Sequence, residues 1–468
     1  MSGLPDPLVV DDREAGIFRV HRATMTSEEI RALEQQRVFD RSWLFVGHES
    51  ELAEPGEYRR RTIAGRSIMF VRGDDGEIRA FHNTCPHRGA IVCRHDEGTA
   101  KAFQCFYHAW TFDTRGRLVG IPGKDAYEGG CFEQAERSLK PVARLEEYRG
   151  FWFLSFDAEI QPLHDHLAGA REFLDVLIDQ SPSGRLKVVH GSHRYSMRAN
   201  WKLLAENSID GYHGLPTHQT YFEYVAEAGG LGAGGKKLYG RGYALGNGHA
   251  VVEYWSPWGR PVARWVPQMG EHARPEIEAI RRDLEERHGP ERAERIAEWN
   301  RNMLIYPNFV VNDIMSATLR TFFPVQADFM EVNAWAVAPV EETGARQDPP
   351  AQLPRVPRPG RLRHPRRRRG ARVVPDRLRR RRRAVQRREP RDAARGAHGR
   401  RAPDAGLLAP VGGADRGPRD RRLGRRPQPR RRQRRVAGAQ ARRRGVSGDG
   451  FAVACANCVR ARGGRDAA

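Results

Sequence analysis

The sequence predicts an α+β chain in three unequal stretches: a small all-β domain over about residues 42–157, a mixed α and β domain over 158–346, and a low-complexity tail over 347–468. Three observations predict this division. Short strands separated by turn residues fill the first stretch, helical periodicity and strands share the second, and the composition changes abruptly at the third. From Gln347 to Ala468 there are 38 arginines against nine acidic residues, with no Lys, Ile, Met, Tyr, Trp or Thr and a single Phe, Phe451. The tail therefore carries about +29, which leaves residues 1–346 at about −7 although the whole chain stands at +22. Those 346 residues hold all nine Trp and all but one Phe, enough for a sizeable core. The bulk charge thus gives no ground for a nucleic-acid partner. The charged N-terminus (Asp11-Asp12-Arg13-Glu14) has no apolar leader, no stretch reaches membrane-spanning length, and the cysteines show no disulfide framework. A cytoplasmic protein without membrane contact is the expectation.

Residues 1–41 read as an N-terminal helical segment packing on the second domain. Thr26-Ser27-Glu28-Glu29 has the form of a capping box opening a helix to about Arg37, with Ile30, Leu33 and Phe39 on its apolar side. Next come two hairpins. Ser67–Arg72 and Glu77–Phe81 flank the turn Gly73-Asp74-Asp75-Gly76, and Trp110–Asp113 and Leu118-Val119 flank Gly116. Gly150–Ser155 closes the all-β domain. In the second domain Asn200–His213 and Pro275–His288 read as helices, the latter with proline at its start and Gly289 after its end. Met315–Phe323 and Glu331–Val337 read as strands. Gly229–Gly248 suits a loop over a site, and its Gly230, Gly232 and Gly235 match a dinucleotide fingerprint only superficially, since no strand precedes them.

Four residues carry the chemistry of the first domain. Cys85 and His87 lie in Asn83–Gly89 and Cys105 and His108 in Gln104–Trp110, so that Cys-x-His and Cys-x-x-His are separated by 17 residues. This is the ligand pattern of a Rieske [2Fe–2S] cluster, in which two thiolates hold one iron and two neutral imidazoles the other, raising the potential at which the cluster accepts an electron. Cys2His2 is also a zinc set, but zinc fingers pair Cys with Cys and His with His. Pro86 stiffens the first loop, Gly89 permits a positive φ, and Phe106, Tyr107 and Trp110 are expected to shield the cluster from water. In the second domain Glu206, Asp210 and His213 fall on one face of the predicted helix, and His218 follows on the next segment. Two histidines so placed begin a two-His-one-carboxylate site for ferrous iron. Beside a one-electron donor, such an acceptor is chemically apt.

At this point residues 1–346 resemble the large (α) subunit of Rieske non-haem iron aromatic-ring-hydroxylating dioxygenases. The resemblance rests on Cys85-Pro86-His87-Arg88-Gly89, Cys105–Trp110, Glu206–His213, His218 and Tyr306-Pro307-Asn308. Many relatives have glycine where Ala109 stands, a change expected to be harmless. The wording of Glu206–His213 is similar to the benzoate and cumate type. The resemblance implies a helix-grip-like catalytic domain, with His213 and His218 on the mononuclear Fe(II) and Asp210 linking His213 to His108 of a neighbouring subunit. It implies cis-dihydroxylation of an arene, such as an aromatic carboxylate, by O2. Electrons come from NADH through a reductase, with or without a ferredoxin, and the assembly is a homotrimer or an α3β3 complex with a β subunit. An O-demethylating monooxygenase uses the same centres, and a Rieske electron-transfer protein would need only the first.

The resemblance stops at the tail. The family's third iron ligand is an Asp far downstream, and no residue there matches, so the catalytic domain is expected to be incomplete and the chain inactive. The tail reads as an out-of-frame translation of a GC-rich gene. Codons exist for Arg361–Arg369 that, shifted by one base, read Gly-Phe-Ala-Thr-Pro-Asp-Asp-Val. A real basic arm is the rival reading, although such arms use Lys as well as Arg. Cys455 and Cys458 form half a zinc motif without a second half.

Overall fold

The computed structural model describes residues 4–123, 137–220, 223, 239–255, 263–265, 270–314, 316–342 and 451–453. The chain falls into two compact units, Met1–Leu362 with Asp449–Ala468, and Arg363–Gly448. The second unit lies outside the described residues, as do the Gly230–Gly235 motif and both cysteines of the tail.

The N-terminal segment is not wholly helical, because β1 (Val9–Asp12) and β2 (Ile17–His21) pair first. A short α1 (Ala23–Thr26) and α2 (Glu28–Arg37) follow. The cap of α2 is Ser27 rather than Thr26: its hydroxyl accepts from Ile30 N at 3.3 Å. Trp201 Nε1 and Lys202 Nζ both donate to Glu34 of this helix, and Ala327 N donates to Glu28.

Three small antiparallel sheets follow. Strands β3 (Leu44–His48), β4 (Glu57–Ile63), β5 (Arg66–Arg72), β6 (Ile78–His82) and β7 (Glu97–Thr99) come first in the chain, then β8 (Ala102–Gln104), β9 (Thr111–Asp113), β10 (Leu118–Gly120), β11 (Arg144–Tyr148) and β12 (Phe151–Ser155). They pair in the orders β6-β5-β4-β7, β10-β9-β8 and β11-β12-β3. Both predicted hairpins form, β5 with β6 and β9 with β10. The sheets that carry the cysteine loops share a core made within residues 58–139, including Tyr58, Met69, Phe81, Phe103, Trp110 and Phe112.

Helices α3 (Leu163–Leu167) and α4 (Ala170–Ile178) lead to a seven-stranded antiparallel sheet. Its members are β13 (Leu186–Met197), β14 (Tyr239–Gly246), β15 (His249–Trp255), β16 (Trp299–Ile305), β17 (Phe309–Asp313), β18 (Ala317–Gln326) and β19 (Phe329–Pro339), in the order β13-β19-β18-β17-β16-β15-β14. Residues 239–246, expected within a loop, are therefore an edge strand paired with β15. Helices α5 (Trp201–Asn207) and α6 (Gly214–Thr217) lie between β13 and β14 in the chain, and α7 (Arg274–His288) and α8 (Pro290–Glu298) between β15 and β16.

The two faces of this sheet have different partners. Met303, Phe309, Val311, Leu319 and Trp335 on one face pack against Trp43 just before β3, Phe45 of β3, Phe151 and Phe153 of β12, and against α3 and α4. Leu304, Val310, Phe322 and Val332 on the other pack against Trp201 and Ala205 of α5. Alternation of side chains along each strand makes this division.

Candidate metal centres

The two cysteine loops are built alike. In the first, Cys85 N donates to Ala90 O at 2.8 Å and Gly89 N to Cys85 O at 2.9 Å; in the second, Cys105 N donates to Trp110 O at 2.8 Å and Ala109 N to Cys105 O at 2.9 Å. The residue at the fourth position after each cysteine takes a positive φ, +71° at Gly89 and +55° at Ala109. The relatives' glycine at the second position thus has a steric reason, and Ala109 carries a cost that the sequence alone conceals. Asn83, fully buried, pins the first loop: its Oδ1 accepts from Cys93 N at 2.7 Å and its Nδ2 donates to Cys93 O at 2.8 Å.

The loops bring their predicted ligands together. Cys85 and Cys105 are buried and free, and burial raises the Cys85 thiol while the backbone N–H groups of His87 and Arg88 act to lower it. The His87 and His108 ring centroids lie 4.5 Å apart, and His87 stacks on Trp110 at 4.7 Å with planes 6° apart. The buried Nδ1 of His87 has no hydrogen-bond partner among the described residues, and burial lowers the ring's basicity. A neutral imidazole with an unsatisfied inward nitrogen beside two buried thiols fits a cluster that takes two sulfurs and two imidazoles. The shielding expectation needs correction. Only Trp110 is buried, whereas Phe106 is 62% and Tyr107 55% exposed, so one side of the second loop is bare in the single chain.

The second site departs from the helix expected for it. The helix ends at Asn207, with Ser208 Oγ donating back to Leu204 O at 2.7 Å, so Asp210 and His213 do not share a helical face with Glu206. They meet through a turn instead. Asp210 Oδ1 accepts from Tyr212 N at 2.7 Å, and Asp210 Oδ2 lies 3.1 Å from His213 Nδ1. Gly214 opens a further short helix, α6, rather than ending one, and this helix returns His218 so that its ring centroid is 5.4 Å from that of His213. The carboxylate engages Nδ1 of His213 and leaves Nε2 for a metal, the usual arrangement behind a ligand imidazole. Among the described residues no group of three or more His, Cys, Asp and Glu side chains is placed to hold one ion. The pair therefore fits two of a ferrous ion's protein ligands, and no third is described.

The Rieske [2Fe-2S] domain model matches residues 42–143, and the ring-hydroxylating α-subunit catalytic-domain model matches 185–358. Toluate 1,2-dioxygenase subunit α from Pseudomonas putida is 33% identical over 353 residues, 73% of this chain and 75% of that protein. The 2-halobenzoate 1,2-dioxygenase large subunit from Burkholderia cepacia is 32% identical, covering 72% and 71%. The chain belongs to the ring-hydroxylating Rieske oxygenase α subunits. Naphthalene 1,2-dioxygenase from Rhodococcus sp., solved with indole, superposes with a TM-score of 0.61 at 30% identity over 71% of this chain and 76% of that one. As a Rieske oxygenase α subunit the protein is an oxidoreductase of the ring-dihydroxylating dioxygenase class, and its cofactors are a [2Fe–2S] cluster and a mononuclear iron. No described helix is long and apolar enough to cross a membrane.

Three features of these sites escaped sequence reasoning: the Asn83 clip, the His87–Trp110 stack and the turn that aims Asp210. The Asn83-Thr84-Cys85 order could have signalled the first, since a polar residue two before a ligand is a natural brace. The others depend on contacts between segments.

Proposed function

We propose that this α subunit cis-dihydroxylates an aromatic carboxylate, with Cys85, His87, Cys105 and His108 holding the cluster and His213 and His218 holding the iron. When bound, these centres supply single electrons and an open coordination position for dioxygen. The observation that carries the reading is the Asp210–His213 hydrogen bond. It fixes the imidazole tautomer and orientation, and the Asp210 side chain, 35% exposed, keeps room for a second donor. We assign that donor to His108 of a neighbouring copy, because the His108 loop presents exposed Phe106 and Tyr107. Asp210 would then accept a ring N–H from each side and hold two metal-bound imidazoles in one line. The arrangement needs a homotrimer or an α3β3 assembly with a β subunit. Electrons would reach it from NADH by a separate cytoplasmic reductase, with or without a ferredoxin. The carboxylate class follows the toluate and halobenzoate relatives.

That no third ligand stands among the described residues favours a second reading, a chain reduced to Rieske electron transfer. Iron analysis with product assay separates the two. About three irons per chain and a diol from benzoate with NADH and reductase support the oxygenase, and about two irons with no product support electron transfer only. Zinc without a reducible visible chromophore would overturn both.

A further inference from the structure

On the sheet face that carries α5, strand register divides the surface into two halves. Leu304, Val310, Phe322 and Val332 lie under Trp201 and Ala205. The other half is small or polar. Val252 opposes Asn302, Asn302 opposes Asn312, Asn312 opposes Thr318, and Thr318 opposes Ala336. A Cβ added to Gly211, in the turn between Asp210 and His213, would stand 3.9 Å from Val252 Cγ1, so this half lies beside the turn that carries the iron ligand.

Arg320 belongs to the same face, opposite Val310 on one side and Ala334 on the other, and diagonal to Asn312. It is half-buried, and no hydrogen bond, ion pair or ring contact engages it among the described residues. Arginines elsewhere on this sheet and its helices do find carboxylates, as Arg194 does in Glu331 and Arg295 in Glu253. Next to it, Asn312 Nδ2 donates to Asn302 Oδ1 at 2.6 Å, while the buried Oδ1 of Asn312 has no partner. Both amides can be turned over together without losing the bond between them, so the pair keeps one free donor in either arrangement. A half-buried guanidinium with no described partner keeps its donors for a ligand, and its planar fork matches a carboxylate.

We propose that Arg320, seconded by the Asn302–Asn312 pair, reads the carboxylate of the aromatic substrate and sets which ring edge faces the iron ligands. The proposal rests on the arene-oxygenase reading and specifies its substrate class. Titration of the purified chain by tryptophan fluorescence, with benzoate and with the neutral isostere benzamide, tests it. Arg320→Met should weaken benzoate by about 10- to 100-fold and benzamide by less than about 3-fold, whereas Arg320→Lys should recover part of the benzoate affinity. An unchanged visible spectrum of the cluster shows that each variant is folded. Equal loss of both ligands, or no loss of either, overturns the role of Arg320. If the unsubstituted chain binds benzamide or toluene but not benzoate, the carboxylate specificity falls and the arene reading stands; if it binds none of them, both fall.

Discussion

Ala109 shows how one side chain can sit against its backbone. Its counterpart in the other ligand loop is Gly89, both have φ in the left-handed region, and both donate N–H to the carbonyl of the loop's cysteine. An alanine there costs about 1 kcal/mol relative to glycine. Ala109→Gly should therefore raise the thermal midpoint by a few degrees with the visible spectrum unchanged, and an unaltered or lower midpoint in a melting curve would refute it. Arg301 is the opposite case, a charge that its surroundings require. It is 2% exposed, donates to Glu253 at 2.8 Å and to Asp313 at 3.3 Å, and both acids are themselves buried. Arg301→Met removes the guanidinium that joins these two buried carboxylates, leaving Glu253 to Arg295 and Asp313 to Gln180, and should cost about 3–5 kcal/mol in urea unfolding, more than the loss of any exposed pair such as Arg274–Glu278.

At the scale of elements, caps and buried histidines decide more than propensity does. Asn200 starts α5 by accepting from Lys202 N at 3.1 Å, and its amide donates to Ala327 O at 2.6 Å and Met25 O at 3.2 Å. It thereby ties α5, the helix that leads to Asp210 and His213, to the β18–β19 turn and to α1. Asn200→Ala should cost about 1–3 kcal/mol and loosen iron at His213 before it affects the cluster, measurable as iron lost on dialysis against a chelator. His48 on β3 and His166 on α3 are pushed down to about 4 by burial, and His249 on β15 is lowered for the same reason. His249 is held neutral, Nδ1 accepting from Tyr306 N at 2.9 Å and Nε2 donating to His166 O at 2.8 Å. Unfolded, these rings titrate near 6.5, so the unfolded chain binds more protons below that pH. The stability that His48 and His166 contribute is complete above about pH 6.5 and is lost as pH falls toward 4, at about 1.4 kcal/mol per pH unit for each of the two rings, and His249 acts in the same direction. Urea midpoints at pH 7.5, 6 and 5 should decline in that order, and a flat series would contradict the burial. The element that sequence misjudged most was α5. Its periodicity continues to His213, but the Ser208 hydroxyl bonds back to Leu204 and Asp210 caps its own turn at Tyr212, so the helix stops at Asn207. The outcome depended on two side-chain hydrogen bonds that a hydrophobic pattern does not register.

For the whole molecule, we propose that the change of composition after Arg346 limits what the chain can do. The catalytic-domain match ends at residue 358, and the third ligand is absent from the described residues. We attribute the arginine-rich tail to translation in a shifted frame. Sequencing the coding DNA across codons 335–370 should reveal a family-like C-terminus in another frame, and a chain expressed in that frame should gain one iron and ring hydroxylation. Absence of such a frame would leave the basic arm as the account of the tail. The convergence of the two cysteine loops, the hairpins around them, the Pro275–Gly289 helix and the class of the enzyme were all legible in the residues, because short-range patterns dictate them: spacing of Cys and His, alternation along strands, proline and glycine at helix ends. Tertiary structure alone decided that the β3 and β12 strands share a core with the large sheet, that Phe106 and Tyr107 face outward, and that Arg320, without a partner among the described residues, lies between Val310 and Ala334 on the α5 face of the sheet. Each of these depends on which distant segment lies opposite a side chain, and that is set by strand register and packing across more than a hundred residues, information that no local pattern holds.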